Sequence, residues 1–277
     1  DSWKTADSHN WGTWHGRKPF ESFDSSIPRF MSEYGFQAFP EMKTIRMFAE
    51  EKDFELESPV MNAHQKATIG NALIKQTMGL YYKVPARFED LVYMGLVLQG
   101  QGMRHGMEAH RRNRPYCMGS LFWQLNDSWP VVSWSAIDYY GNWKALMYQS
   151  KRAFAPILIN AIREDNDLCV YLISDELHDR DDVSMTVELM DFDGKTHGRW
   201  TCNGRLTANS SLLFMKKPVG EWLGKQDAAS SLLHLTLKTK NGTTLADNIY
   251  YFAYPKEQNL PEASIETSVK RRGDEIE

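Results

Sequence analysis

The apolar residues change their spacing at Pro156. Before it they recur at three and four residues, as helices buried along one stripe require. After it they fall into short β-rich runs. A helix stripe and a strand face bury their apolar sides differently, so each half needs its own core, and 277 residues is enough chain for two. Ile69, Leu73 and Leu80 predict one helix over residues 59–82, ending before Pro85. Phe88, Leu91, Val92, Gly95 and Leu98 predict a longer helix reaching towards Asn113. Glu89 and Asp90 fall in its first turn, where the helix dipole favours negative charge. Trp143, Leu146, Met147 and Phe154 mark a third helix.

Two apolar runs among these helices, residues 27–35 and 117–126, read as strands. The second is polar only at its end, as expected of a strand covered on both faces. Strand, loop and helix in that order form the unit of an α/β barrel. Only two such units are present, whereas a closed barrel needs eight, so residues 1–155 are expected to form an incomplete TIM barrel. From 156 to 255, runs at 157–162, 168–173, 185–192, 199–206, 212–215, 232–237 and 248–254 predict seven strands, with Asp193-Gly194 and Asn241-Gly242 as turn dipeptides. Seven short strands in about 100 residues suit an immunoglobulin-like β-sandwich. Residues 256–277 turn polar and proline-punctuated, a linker or the start of a further domain. The Arg272-Gly273-Asp274 within them reads as part of a charged, frayed end.

Thirty-two basic against 36 acidic side chains give a net charge of -4, so no cationic surface for nucleic acid is expected. Three widely spaced cysteines fit neither a disulfide framework nor a zinc pattern. His105 and His110, five residues apart, lie about 140° apart around a helix and are not expected to share a metal. Arg111, Arg112 and Arg114 read as a solvated helix end set against the helix dipole. No apolar run approaches the ~20 residues of a membrane span, and the first residues show no charged-then-apolar leader. Compartment and oligomeric state stay open. Seven of the nine tryptophans precede residue 150, many beside His, Asp or Asn; their flat faces and single N–H groups suit either a core or the stacking of a sugar ring.

One carboxylate stands out. Glu33 ends a short apolar strand in Arg29-Phe-Met-Ser-Glu33-Tyr34-Gly35-Phe36-Gln37. That run resembles the nucleophile strand, the seventh of the barrel, in the β-mannosidases of glycoside hydrolase family 2. Residues 118–130, containing Trp123, Asn126 and Asp127, resemble the eighth strand, and residues 138–144 the segment after it. Order and separation both fit, so the resemblance makes residues 1–155 the C-terminal portion of a TIM barrel. The galactosidase branch continues past its nucleophile with an aromatic residue and a His-Ala-Met-like run, where this chain has Tyr34-Gly-Phe-Gln.

The resemblance implies a retaining exo-β-mannosidase acting on a terminal β-linked mannose. Glu33 would be the nucleophile, with its partner carboxyl about 5 to 5.5 Å away and no cofactor or metal required. In the family that partner is the glutamate of an Asn-Glu pair, and no such dipeptide occurs in these 277 residues. The chain alone is therefore expected to be inactive, and its open strand edges to favour self-association. By the same resemblance Trp123 walls the subsite for the terminal mannose. Trp14 and His15, in the run from Asp7 to Gly16, are likewise expected to bind substrate beside the nucleophile. Gln124, Asn126 or Asp127 bonds either a sugar hydroxyl or loop backbone. Other family 2 exo-glycosidases, of β-galactosidase, β-glucuronidase or exo-glucosaminidase type, share the barrel, and a non-catalytic glycan-binding fragment is the rival reading. Family members are periplasmic or secreted in bacteria and lysosomal in animals.

Overall fold

In the computed structural model, which describes Lys4 and residues 7–269, 271–272 and 275–276, separate hydrophobic cores form before and after residue 155. The first half runs β1 (Asp7–Asn10), α1 (Ser22–Ser25), β2 (Phe30–Tyr34), α2 (Met42–Ile45), α3 (Pro59–Ala63), α4 (Gly70–Tyr81), α5 (Phe88–Arg112) and α6 (Ala145–Ala153). β1 and β2 pair in parallel. Residues 118–123 run along the other side of β2 in the same sense: Met31 N donates to Gly119 O at 2.9 Å, Leu121 N to Met31 O at 2.8 Å and Trp123 N to Tyr34 O at 2.8 Å.

That third ribbon corrects the expectation of a strand covered on both faces. Beyond Trp123 it leaves β2, and Gln124 N donates to Trp134 O. Leu121, Trp123 and Leu125 are 55, 44 and 55 % exposed. The expected single helix over 59–82 is also corrected, because residues 64–69 leave the helical path. There Val132 N donates to His64 O at 2.8 Å and Lys66 N to Val132 O at 3.2 Å. Ser58 caps α3 by accepting from Met61 N, with Pro59 in the first turn. α4 buries Leu73, Ile74, Met78 and Tyr81, whereas Ile69 and Leu80 are exposed.

α5 matches its expectation and organises this half. Leu91, Val92, Leu98, Met103 and Met107 face the core. Gly102 and Gly106 admit the rings of Phe20 and Phe23, which a Cβ would displace. Gln99 Nε2 donates to Phe36 O at 2.7 Å, tying the helix to the chain just past β2.

The second half is a sandwich of β3 (Ile157–Glu164), β4 (Asp167–Ser174), β5 (Arg180–Asp191), β6 (Thr196–Leu206), β7 (Ser210–Pro218), β8 (Ser231–Thr239) and β9 (Thr244–Tyr251), with α7 (Val219–Leu223) after β7. One sheet has the order β3-β4-β7 and the other β6-β5-β8-β9, all antiparallel. Every second residue of β5 and β8 points inward: Val183, Met185, Val187 and Leu189 meet Leu233, Leu235 and Leu237, with Trp222 of α7 packed beside them. Gly194 and Gly242 take φ of +84° and +86° in the β5–β6 and β8–β9 turns, as their dipeptides predict. Arg271–Arg272 and Glu275–Ile276 pair antiparallel; Gly273 and Asp274 lie outside the described residues.

β4 and the first half of β3 are buried on both faces, and α5 packs against β4. Here the arginine run departs from its expected solvated role. Arg111 and Arg112 are only 6 and 8 % exposed. Arg112 bridges Asn160 Oδ1 at 2.8 Å and Asp24 Oδ1 at 2.6 Å, Arg111 meets Asp175 at 3.0 Å, and Arg114 meets Asp175 at 2.5 Å. The pairs with Asn160 and Asp175 join the halves. Buried guanidinium groups need such partners, since an unpaired charge in the interior costs several kcal/mol, about 3 to 5 when one member of a pair is lost.

His110, 1 % exposed, has its pKa pushed down to about 3, chiefly by burial, with Arg112 and His105 adding and Asp24 opposing. Between pH 6.5 and 3 the unfolded chain binds the proton that the folded one refuses, so this group's stabilisation is complete above pH 6.5 and is lost as pH falls. His110→Gln, which retains a hydrogen-bonding group for Ser120, is expected to flatten that limb. Chemical denaturation of wild type from pH 6.5 to 4.5 should show about 2 to 3 kcal/mol more loss than the variant. Parallel curves would mean that His110 is charged in the fold.

Candidate active site

Glu33 lies on β2, the middle ribbon of the parallel array, in register with His9 of β1 and two residues beyond the Met31–Ser120 bridge. Its side chain is half-buried. Trp11, the first residue after β1, donates Nε1 to Glu33 Oε1 at 2.8 Å. No hydrogen bond among the described residues reaches Oε2. The carboxylate is therefore held by one oxygen and free at the other.

The indole of Trp11 is braced in turn. His15 lies 5.4 Å from it and Trp134 5.9 Å, edge to face. Trp134 meets Trp14 edge to face at 5.8 Å, and Trp14 meets Phe36 at 5.0 Å. Trp14 is 1 % exposed, which corrects its expected place against a ligand: it is the buried buttress of Trp134. The turn at 11–16, closed by Trp14 N and Gly16 N on Trp11 O, sends residue 14 inward and leaves His15 exposed beside Trp11.

Trp123 reaches the same place through the backbone. Its N–H bonds Tyr34 O, its ring is 44 % exposed, and the peptide joining it to Gln124 is cis. A Cβ on Gly35 would stand 2.5 Å from Trp123 O, 3.1 Å from Trp134 Cδ1 and 3.2 Å from Trp11 Cη2. Gly35 is thus the gap through which three tryptophan-bearing segments converge behind Glu33. Of the residues singled out from sequence, Glu33, His15 and Trp123 gather here, and Trp14 supports them from the core.

Trp11 was not singled out, although it shares a run with Trp14 and His15. The signal lies in the strand register: with His9 opposite Glu33, the residue two further on in β1's direction arrives at the carboxylate. Sequence spacing alone does not reveal which strands are neighbours.

A buried polar layer fixes the segment beyond Trp123. Asp127, 6 % exposed, accepts from Ser133 Oγ at 2.7 Å, Ser135 Oγ at 2.5 Å and Gln124 Nε2 at 3.2 Å. Gln124 also donates to Asn126 O at 3.0 Å. These bonds hold loop groups together: Gln124 satisfies loop backbone, one of the alternatives that the sequence left open, and Asp127 binds neighbouring side chains. Lys144 is fully buried and donates to Ala38 O at 3.0 Å and Ser133 O at 3.2 Å. Burial pushes its pKa down to about 7 against the opposing pull of Asp127 and Asp138. It clips together the two backbones that leave β2 and the third ribbon.

Among the described residues no group of three or more His, Cys, Asp or Glu is placed to hold a metal ion. His105 is engaged with Asp24 at 2.8 Å and His110 with Ser120 at 2.8 Å. No described helix is long and apolar enough to cross a membrane.

Comparison with known proteins gives concordant likenesses. Residues 166–257 match the mannosidase Ig/CBM-like domain family. A β-mannosidase of Capra hircus is 30 % identical over 265 residues, 88 % of this chain and 30 % of that protein. β-Mannosidase B of Aspergillus terreus is 36 % identical over 169 residues, covering 59 % of this chain and 20 % of that protein. The crystal structure of a β-D-mannosidase from Dictyoglomus thermophilum superposes with a TM-score of 0.87 at 32 % identity, over 94 % of this chain and 32 % of that one. The chain thus spans less than a third of the length of each of these relatives.

Proposed function

From the premise that this chain is related to the β-mannosidases of glycoside hydrolase family 2 and carries a mannosidase immunoglobulin-like domain, we propose that it supplies the nucleophile of a retaining exo-β-mannosidase. Residues 1–155 are read as the last part of the catalytic barrel, 156–255 as the sandwich behind it and 256–277 as a linker or the start of a further domain. The exposed edge of the 118–126 ribbon is where the barrel's first strand would pair.

The observation that carries the reading is Glu33 itself: one oxygen bonded by the Trp11 indole at 2.8 Å, the other with no bond among the described residues, near the C-terminal end of parallel strands. Barrel enzymes hold their chemistry at that end. In the first step Oε2 attacks the anomeric carbon while the aglycone oxygen leaves with a proton from a carboxyl group outside this chain. In the second, that group takes a proton from water, water attacks the same carbon, and the ester to Glu33 breaks. Inversion twice gives retention. Trp123 offers its exposed face to the sugar ring, and His15, on the open side of Trp11, is close enough to the carboxylate's brace to meet a sugar hydroxyl. That these relatives are β-mannosidases supports a β-mannoside as substrate.

The test is to trap the ester. The complete protein, incubated with a 2-deoxy-2-fluoro-mannosyl donor, should gain one glycosyl unit on the peptide bearing Glu33, seen by mass spectrometry. Labelling of any other carboxylate overturns the assignment.

Trp11→Phe keeps an aromatic ring beside Trp134 and removes the N–H that orients Glu33. A hydrogen bond to a charged group contributes about 1.5 to 3 kcal/mol, so kcat should fall roughly ten- to hundredfold. An unchanged kcat would mean that the indole only fills space.

A further inference from the structure

A cavity of about 450 Å³ opens where the two halves meet, and neither Glu33, Trp11, His15 nor Trp123 lines it. Its floor is α5, one wall is the end of α4, and the other is β3 with β9. That volume lies in the range of small-molecule sites. Its walls are tied in place: Arg104 spans Gln149 Oε1 at 3.1 Å and Asn248 Oδ1 at 2.7 Å, and Tyr254 donates to Glu21 at 2.9 Å.

The lining charges cancel. Arg104, Arg112 and Arg152 stand against Glu21, Glu108 and Asp247, and Arg104 is already paired with Glu108 at 2.7 Å. Neither an anion nor a cation finds a surplus to bind. What the cleft does offer is aromatic surface and unused hydrogen-bonding groups. Among the described residues no hydrogen bond reaches the hydroxyl of Tyr82, the hydroxyl of Tyr250 or the side-chain amide of Gln101. Burial raises the pKa of both phenols, to about 12 for Tyr82, so each stays a neutral donor and acceptor. Flat apolar rings beside amide, hydroxyl and guanidinium groups match a ring that has apolar C–H faces and a rim of hydroxyls.

We propose that this cleft is a second binding site, distinct from the Glu33 rim, for a neutral hydroxyl-rich ligand of mono- or disaccharide size, held between Tyr82 and Tyr250 with the Gln101 amide facing its hydroxyls. The site belongs to neither half alone, and an occupant would tighten the join between them. It does not depend on hydrolysis at Glu33.

The test uses the complete protein carrying Glu33→Gln, titrated calorimetrically with β-1,4-mannobiose and, as a comparator, maltose. Two binding events are expected for mannobiose. Tyr82→Ala with Tyr250→Ala should weaken one of them at least tenfold and leave the other, whereas Trp123→Ala should do the converse. Tyr82→Phe with Tyr250→Phe, which keeps both rings and is not expected to alter folding, should weaken the same event severalfold. If the cleft variants change nothing, the inference is overturned. If they remove an event while Trp123→Ala does not, the cleft stands and the reading of the Glu33 rim fails. Binding of maltose at equal strength in the cleft would place its selectivity at the level of the hydroxylated ring.

Discussion

Glu33→Gln in the complete protein is expected to lower kcat on an aryl β-mannoside by about ten-thousandfold, with the thermal midpoint and KM little altered. The glutamine carbonyl can still accept from Trp11 Nε1, so the brace seen at 2.8 Å survives and the local geometry with it. The second position, free in the native residue, becomes an amide nitrogen that cannot form the ester. Glu33→Asp separates position from chemistry. It keeps a carboxylate but withdraws it by one methylene, and a misplacement of about 1 Å costs on the order of a hundredfold. The pair should rank Glu, Asp, Gln in activity. Activity within tenfold of wild type in the glutamine variant would assign the nucleophile elsewhere. The 277-residue chain by itself, with one carboxylate of the two, is expected to show no turnover.

Gly35→Ala is expected to be the most damaging small substitution in the first half, costing about 2 to 4 kcal/mol and most of the activity. The new methyl would lie 2.5 Å from a backbone oxygen, that of Trp123, with two indoles at 3.1 and 3.2 Å. A flexible side-chain tip could swing aside, but here the carbonyl belongs to a ribbon fixed by Trp123 N on Tyr34 O and by the Lys144 clip behind it. Relief therefore moves Trp123 away from Glu33, which couples the loss of stability to a loss of catalysis. Gly220→Ala is the control, since nothing lies within 4 Å of its Cβ position and its φ is not positive. Denaturation midpoints and kcat/KM for the two variants decide the matter: equal behaviour would show that the gap at Gly35 is slack.

The sandwich was readable strand by strand because its signals are local. Alternation along β5 and β8 sets the buried face, and the Asp193-Gly194 and Asn241-Gly242 turns set where the chain reverses. α5 was readable for the same reason, its apolar stripe and its terminal charges being written in consecutive turns. The misread elements share the opposite property. Residues 59–82 have helical spacing throughout, yet the strand-like contacts of residues 64–66 with Val132 outweigh that weak local preference. Residues 117–126 are apolar whether or not something covers them, and only the fold reveals that Leu121, Trp123 and Leu125 stand open. The arginines after His110 look like a solvated end until Asp24, Asn160 and Asp175, distant in sequence, arrive beside them.

At the site the division is the same. By itself the sequence determined that a glutamate lies near the end of a short apolar strand, that a second apolar run bearing Trp123 comes later, and that β-rich segments follow Pro156, because residue type and period are properties of neighbours along the backbone. The tertiary structure alone decided that Trp11 rather than Trp14 touches Glu33, that Trp14 is a buried support, that Lys144 clips the two backbones behind the site, and that a polar cleft lies between the halves. Each of these depends on which strands are adjacent and in what register, and a one-residue shift of register exchanges the two faces of a strand without changing a letter of the sequence.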